Sequence, residues 1–158
     1  MSIHRERRLI PFPADQLFDL VADVESYPRF LPWCSGARVI SREVRNGKTI
    51  MIADMTISFK IHQETFRSEV TLDREARTIG TRYVTGPFKR MISEWRFEPK
   101  NERATNVSFF IDFEFRNRAL QMLIGLLFEE ATRRIVSAFA TRAEAIYGRG
   151  PETYGHND

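Results

Sequence analysis

The apolar residues in the middle of the chain alternate with polar ones, and this pattern limits the fold more than any other feature of the sequence. The alternation extends over residues 37–115. A period of two residues is typical of β-strands that bury one face and expose the other. Asn46-Gly47 separates two such segments, residues 38–45 and Lys48–Phe59, and predicts a tight hairpin because both turn residues tolerate positive φ.

Polar residues, glycines and prolines divide this region into strands that are joined by short turns. The breaks lie at residues 73–77, at Gly86-Pro87 and at residues 99–103. Three of the predicted strands cover residues 79–85, 89–97 and 104–115. An N-terminal segment, residues 2–10, adds an edge strand, so the sequence predicts an antiparallel meander of about seven strands.

The period changes to 3.6 residues on either side of the strands, which predicts helices there. Pro13 stands where proline favours the first turn of a helix. After Arg116 a helix of roughly 45 Å continues to about Tyr147, long enough to cross a sheet. Its predicted apolar face consists of Leu120, Ile124, Leu127, Ala131, Ile135, Ala138 and Ile146. The order of elements predicts an α+β domain over residues 1–147, followed by a flexible C-terminal tail over residues 148–158.

A chain of 158 residues has the size of one domain. Its 42% hydrophobic and 28% charged residues exclude an intrinsically disordered chain. The longest uncharged apolar run, residues 119–128, is too short to cross a bilayer, and no apolar segment follows the basic N-terminus as a signal peptide requires. The single cysteine, Cys34, excludes an internal disulfide, so we expect a cytoplasmic protein.

Arginine accounts for 20 of the 24 basic residues, and the net charge is +3. A weak basic excess suits an anionic membrane surface or RNA, and we expect no DNA partner. The alternative is a solvated surface of ion pairs, which we favour because no run of five like charges occurs. Glutamates 129 and 130 precede arginines 133 and 134 at helical spacing and support this alternative.

No group of residues has the sequence spacing of a catalytic or metal site. The three histidines, His4, His62 and His156, are far apart, and none belongs to a zinc-binding motif. His62, Glu64 and Glu94 could form an acid–base group on the sheet. We favour the alternative, in which they belong to an exposed polar face. Cys34 is favoured as a packing residue over a nucleophile. We therefore predict no catalytic residue, no metal ion, no cofactor and no enzymatic activity.

Thirteen phenylalanines, five methionines and two tryptophans supply the predicted sheet with bulky side chains. Such side chains line an irregular cavity in some proteins and fill a core in others, and composition alone favours the filled core. The first part of the long helix, residues 120–128, is apolar on more than one face, although a helix on a sheet needs one apolar stripe. The additional face must meet a cavity, the N-terminal helix, a partner or a membrane.

The segment ADVESYPRFLPWC, residues 22–34, resembles the signature of the coenzyme Q-binding family, within the START-like, polyketide-cyclase-related superfamily. The resemblance extends over residues 3–147. It implies a helix-grip fold, in which a curved antiparallel sheet of about seven strands wraps the long C-terminal helix around an apolar cavity. It also implies that the bound ligand is ubiquinone, a lipophilic quinone precursor or another isoprenoid lipid, in support of respiration and quinone biosynthesis.

The resemblance further implies which residues contact the ligand. In the signature these are Phe30, Leu31 and Trp33. Strand alternation combined with the family geometry predicts the cavity wall: Met51, Met55, Met91, Trp95, Phe109 and Phe113. A one-residue error in register would turn the whole set of a strand outward. Leu123 and Leu127 of the long helix complete the predicted ligand-binding residues.

We favour a carrier or chaperone for ubiquinone that works in the cytoplasm, or peripherally at the inner face of a bacterial membrane. The start of the long helix would dock there, with arginines for anionic headgroups and an apolar face for the acyl boundary. These residues are Arg116, Arg118, Met122, Leu123, Leu126 and Leu127. The same family contains toxins that block ribosomal subunit association, so a ribosome-directed inhibitor is the alternative. A cyclase or aromatase that acts on a polyketide is the second alternative.

Overall fold

The computed structural model describes residues 2–59 and 61–148, and for residues 2, 59, 124 and 126–129 it describes the main chain alone. These residues contain one antiparallel sheet of seven strands. The strands are β1 Ser2–Ile10, β2 Cys34–Arg45, β3 Lys48–Phe59, β4 His62–Asp73, β5 Thr78–Thr85, β6 Phe88–Pro99 and β7 Thr105–Phe115. Their order in space is β1-β7-β6-β5-β4-β3-β2. Strands β2 to β7 form the predicted antiparallel meander, whereas β1 is an edge strand, as predicted, but pairs with β7 and not with β2.

The helices are α1 Ala14–Ala22, a 3-10 helix at Val24–Arg29, and α2 Arg118–Ala143, which ends in a π-helical turn, Glu144–Gly148. The side chain of Asn117 caps α2 by accepting a hydrogen bond from the main-chain N–H of Leu120 at 3.0 Å. Both α1 and α2 pack on the same face of the sheet, called the inner face below. The predicted α+β, helix-grip fold is confirmed.

The hairpin between β2 and β3 forms where the sequence predicts it. Asn46 and Gly47 have φ of 55° and 78°, the left-handed values that a two-residue turn of this kind requires. At the other end of the chain, β1 pairs with β7, with His4 opposite Ile111. The sheet therefore has β1 and β2 as its two edges.

The buried face of α2 differs from the predicted one in the C-terminal half of the helix. The buried residues there are Thr132, Val136, Phe139 and Ala143. Ile135 is half-buried and Ile146 is 44% exposed, so the predicted stripe is rotated by one residue, or about 100°. The predicted side-chain positions of Ile124 and Leu127 lie outside the described residues.

A half-buried polar network connects β1 to α2. The Nε2 atom of His4 lies 3.1 Å from Glu6 Oε1, and Arg8 donates a hydrogen bond to the other carboxylate oxygen of Glu6 at 2.6 Å. The second terminal nitrogen of Arg8 donates to the hydroxyl of Ser137 on α2 at 3.0 Å. The carboxylate of Glu6 thus holds Arg8 in the position from which it contacts the helix.

The buried apolar side chains form two clusters on the inner face. The larger includes Phe18, Val70, Trp95 and Phe109 and extends over α1 and the C-terminal half of α2. The smaller consists of Phe66, Phe88, Met91, Phe113, Phe115 and Leu120. Met55 and Ile111 are only half-buried although they pack against both clusters, because space remains between the two.

No helix in the described part of the chain is long and apolar enough to cross a membrane. The flexible tail predicted over residues 148–158 lies, except for Gly148, outside the described residues. The predicted boundary of the domain at residue 147 therefore stays a prediction.

Candidate ligand cavity

A cavity of about 260 Å³ lies between the two apolar clusters. Its wall is formed by the inner faces of β3 to β7, by α2 on the opposite side, and by residues 24–34 at one end. Most of the residues in the wall are apolar, and the exposed His62 marks the side where the cavity meets solvent. The volume is near the lower limit of small-molecule pockets, which is about 300 Å³.

Seven of the eleven predicted ligand-binding residues line this cavity. They are Leu31, Trp33, Met55, Met91, Trp95, Phe109 and Phe113. The sheet register brings them together from separate strands, since Met91 lies opposite Phe113 and Trp95 lies opposite Phe109. Contact of these side chains with a ligand stays a prediction.

Three of the other four predicted residues are placed elsewhere. Met51 faces inward as predicted, but it is completely buried in the larger apolar cluster instead of lining the cavity. Phe30 packs its ring edge-to-face on Phe139, with 5.0 Å between the ring centroids. Leu123 is half-buried on α2 away from the lining, and the side chain of Leu127 lies outside the described residues.

Trp33 has a main-chain conformation that is uncommon for a bulky residue. Its φ is 63°, in the left-handed region that favours glycine. The carbonyl of Trp33 accepts a hydrogen bond from the main-chain N–H of Ser58 at 2.8 Å, which ties the signature segment to β3. Strain of this kind is retained where the surroundings fix it, and here it accompanies an indole ring in the cavity wall.

Sequence reasoning missed the part of the wall that comes from β4 and β5. These strands contribute His62, Glu64, Phe66, Ser68, Val70, Ile79 and Thr81. The two-residue spacing of the β4 members could have identified them, because one strand face alternates in this way. Glu94 is exposed on the opposite face of the sheet, so the considered group of His62, Glu64 and Glu94 does not assemble.

Two titratable groups in the wall keep their protons at neutral pH. Burial raises the pKa of the Cys34 thiol, which outweighs the lowering effect of its contact with the carbonyl of Gly36. Burial also raises the pKa of the Tyr27 hydroxyl, which donates a hydrogen bond to the carbonyl of Val21 at 2.5 Å. Both groups therefore act as neutral packing surfaces. Within the described residues, no group of three potential metal ligands occurs.

Ion pairs occupy many of the arginines of the described residues. Arg67 donates to both carboxylate oxygens of Asp54, at 2.7 and 3.0 Å, and lowers the pKa of that carboxyl. Arg134 donates to Glu130 at 2.9 Å, at the predicted helical spacing. Arginines in such ion pairs are 7, 8, 45, 67, 74, 82, 90, 96 and 134. The favoured surface of ion pairs thus accounts for a large share of the basic residues.

The start of α2 exposes some of the residues proposed for membrane docking. Arg116 and Arg118 are exposed, and Met122 is 73% exposed. The side chains of Leu126 and Leu127 lie outside the described residues. Docking at a bilayer stays a prediction.

The family model described as polyketide cyclase / dehydrase and lipid transport matches residues 10–140. The chain belongs to this family. This match confirms the resemblance of residues 22–34 to the START-like, polyketide-cyclase-related superfamily.

Relatives of this family member carry two kinds of name. It is 35% identical over 139 residues to the ribosome association toxin RatA of Escherichia coli (strain K12), which covers 88% of this chain and 85% of the relative. It is 28% identical over 149 residues to coenzyme Q-binding protein COQ10 homolog B, mitochondrial, of Xenopus laevis, which covers 92% of this chain and 59% of that relative.

Solved structures of similar fold include proteins with and without an enzymatic name. The solution structure of the 18 kDa protein CC1736 from Caulobacter crescentus has a TM-score of 0.77 at 34% identity, over 94% of this chain and 99% of that one. The Zhui aromatase/cyclase from Streptomyces sp. R1128 has a TM-score of 0.76 at 20% identity, over 90% and 93%. The second likeness shows a shared fold alone.

Proposed function

We propose that this protein binds ubiquinone, a quinone precursor or another isoprenoid lipid in the cavity and acts as a non-enzymatic carrier or chaperone. The observation that carries the proposal is an apolar cavity left open between two packed clusters. An apolar ligand that enters it leaves water, which favours binding by roughly 25 cal/mol per Å² of buried apolar area before ordering costs. The relative named as coenzyme Q-binding supports this choice of ligand.

The side chains of the wall suit a planar ring with an attached apolar tail. Trp33 and Trp95 supply aromatic surface, and Met55 and Met91 supply side chains that adapt to an irregular ligand. A volume near 260 Å³ holds a substituted ring and the first part of a tail. We expect the rest of a long tail to leave the cavity on the side of His62.

The test combines extraction with titration. Organic extracts of the purified protein, analysed by mass spectrometry, are expected to contain a prenylated quinone or precursor. Titration with decylubiquinone is expected to quench tryptophan fluorescence, because two tryptophans line the cavity. Extracts without lipid together with an unchanged fluorescence signal would refute the proposal.

Trp33→Ala separates ligand contact from stability. Because Trp33 is half-buried, we expect a loss below the 3–5 kcal/mol of a fully buried tryptophan. The affinity for decylubiquinone should fall about tenfold or more, as is usual for an aromatic anchor. Phe97→Ala is the control, since Phe97 is 2% exposed in the core and does not line the cavity. Compared with Trp33→Ala, Phe97→Ala should lower the melting temperature more and the affinity for decylubiquinone less. Affinity losses that simply follow the melting temperatures would assign Trp33 to packing alone.

A second candidate function is inhibition of ribosomal subunit association. Identities of 34–36% to proteins named ribosome association toxin in several bacteria favour it. Binding to ribosomal RNA through arginines would weaken steeply with salt. Sedimentation of purified subunits with and without the protein, at low and high salt, tests this candidate. A salt-sensitive loss of the associated ribosome would support it, and unchanged profiles would exclude it.

A further inference from the structure

Three hydroxyl side chains form a row across the inner face of the sheet, within an otherwise apolar part of the cavity wall. Ser68 on β4, Thr81 on β5 and Ser93 on β6 all line the cavity. Thr81 lies directly opposite Ser93 and also opposite Val70, two residues from Ser68. Side chains at such positions are about 5–8 Å apart. A ligand ring of ordinary size can therefore contact more than one of these hydroxyls.

The three hydroxyls form no side-chain hydrogen bond within the part of the chain that the structure describes. Ser68 is 5% exposed as a whole residue, but its hydroxyl is not among the fully buried side-chain atoms that lack a partner, so the oxygen keeps accessible area in the cavity wall. A hydroxyl that borders a cavity and has no protein partner can donate to and accept from a molecule bound there.

The row lies at the junction of the two apolar clusters. Phe66 and Met91, on one side of the row, belong to the smaller cluster. Val70, Ile79 and Trp95, on the other side, belong to the larger cluster. A ligand that fills the cavity therefore meets hydroxyls at its middle and apolar side chains beyond them.

The charges in the wall limit the chemistry of the ligand. The described residues that line the cavity include no lysine or arginine, and Glu64 is on the same face of β4 as Ser68. A carboxylate or phosphate that entered would find no lysine or arginine to pair with among the described lining residues and would face the carboxylate of Glu64, while His62 lies at the exposed side of the cavity. Burial of an unpaired anion is strongly unfavourable. The wall therefore favours an uncharged ligand.

We infer that Ser68, Thr81 and Ser93 form the specificity site of this cavity and bind the oxygen atoms of a neutral lipid headgroup. The inference rests on the proposed function and names the residues that select its ligand. A hydroxyl both donates and accepts hydrogen bonds. The row can thus bind the carbonyl oxygens of a quinone and the hydroxyls of the corresponding quinol, and it accommodates a carrier's ligand in both redox states.

The test measures binding of four probes by tryptophan fluorescence: decylubiquinone, its quinol, the oxygen-free dodecylbenzene, and laurate. Ser68→Ala, Thr81→Val and Ser93→Ala should each weaken decylubiquinone and quinol binding about three- to tenfold, and the triple variant about thirtyfold or more. Dodecylbenzene should bind all variants as it binds the wild type, and laurate should bind weakest. Thr71→Val, on the outer face of β4, is the matched control and should change nothing.

Several outcomes would overturn the inference. If the single variants all keep wild-type affinity for decylubiquinone, or lose dodecylbenzene binding to the same extent, the hydroxyls do not select the ligand. Laurate binding tighter than decylubiquinone would refute the neutral headgroup. In these cases the cavity still binds a lipid and the proposed function stands. A folded wild-type protein that binds none of the four probes would overturn the proposed function as well.

Discussion

Ala53→Phe should abolish lipid binding while the protein stays folded. Ala53 lies on β3 in the cavity wall, opposite Ser68 on the neighbouring strand. A phenyl ring at this position projects into the space that the ligand ring would occupy. Because the cavity is open to about 260 Å³, the ring is accommodated without the 1–3 kcal/mol that overpacking of a filled core costs. We expect affinity for decylubiquinone to fall at least about a hundredfold, which corresponds to a loss of about 2.8 kcal/mol of binding free energy.

Two further variants make this result specific. Ala131→Phe fills the cavity from α2, on the opposite wall, and should have the same effect. Ala76→Phe adds the same ring at an exposed position in the turn between β4 and β5 and should leave affinity unchanged. Melting curves establish that each variant is folded. Wild-type affinity in both cavity-filling variants would show that the lipid binds at another place on the protein.

The sequence predicts which face of the sheet each strand side chain points to. It does not predict whether an inward side chain lines the cavity or is buried in a packed cluster. Alternation places Met51 and Met55 on the same face of β3, and both do face inward. Only Met55 lines the cavity, because packing of the larger cluster fills the space at the Met51 end of the strand. That difference depends on which parts of the sheet α1 and α2 cover. The periodicity of the sequence carries no information about this.

The rotated face of α2 has a related cause. The prediction of one apolar stripe assumes that the helix buries one side against one surface. Instead, α2 contacts β1 on one side and faces the cavity on another. Val136 is buried in the core while Ile135, next to it, lines the cavity. Polar residues at inward positions, such as Ser68, break the expected pattern in the same region. Departures of this kind from local consistency are concentrated at functional sites.

Gly86→Ala should destabilise the protein by about 3–5 kcal/mol, because main-chain strain at positive φ adds to a steric collision of the new methyl group. Gly86 lies in the turn between β5 and β6. Its φ is 142°, a value that residues other than glycine rarely adopt. A Cβ atom there would be 2.6 Å from the Cβ of Phe66 and 2.8 Å from its Cα. Neither atom is the end of a flexible side chain, so β4 itself would have to move.

Gly47→Ala is the control that separates the collision from the strain. Gly47 also has positive φ, 78°, but its added Cβ meets nothing within 4 Å, so it should cost only about 1–2 kcal/mol. Urea unfolding measures both variants. The ring of Phe66 packs on Phe88 at 5.0 Å, and both rings line the cavity. A displaced Phe66 should therefore also lower lipid affinity in Gly86→Ala and not in Gly47→Ala. Equal destabilisation by the two substitutions would show that the close approach of the turn to Phe66 contributes nothing to the stability of this wall.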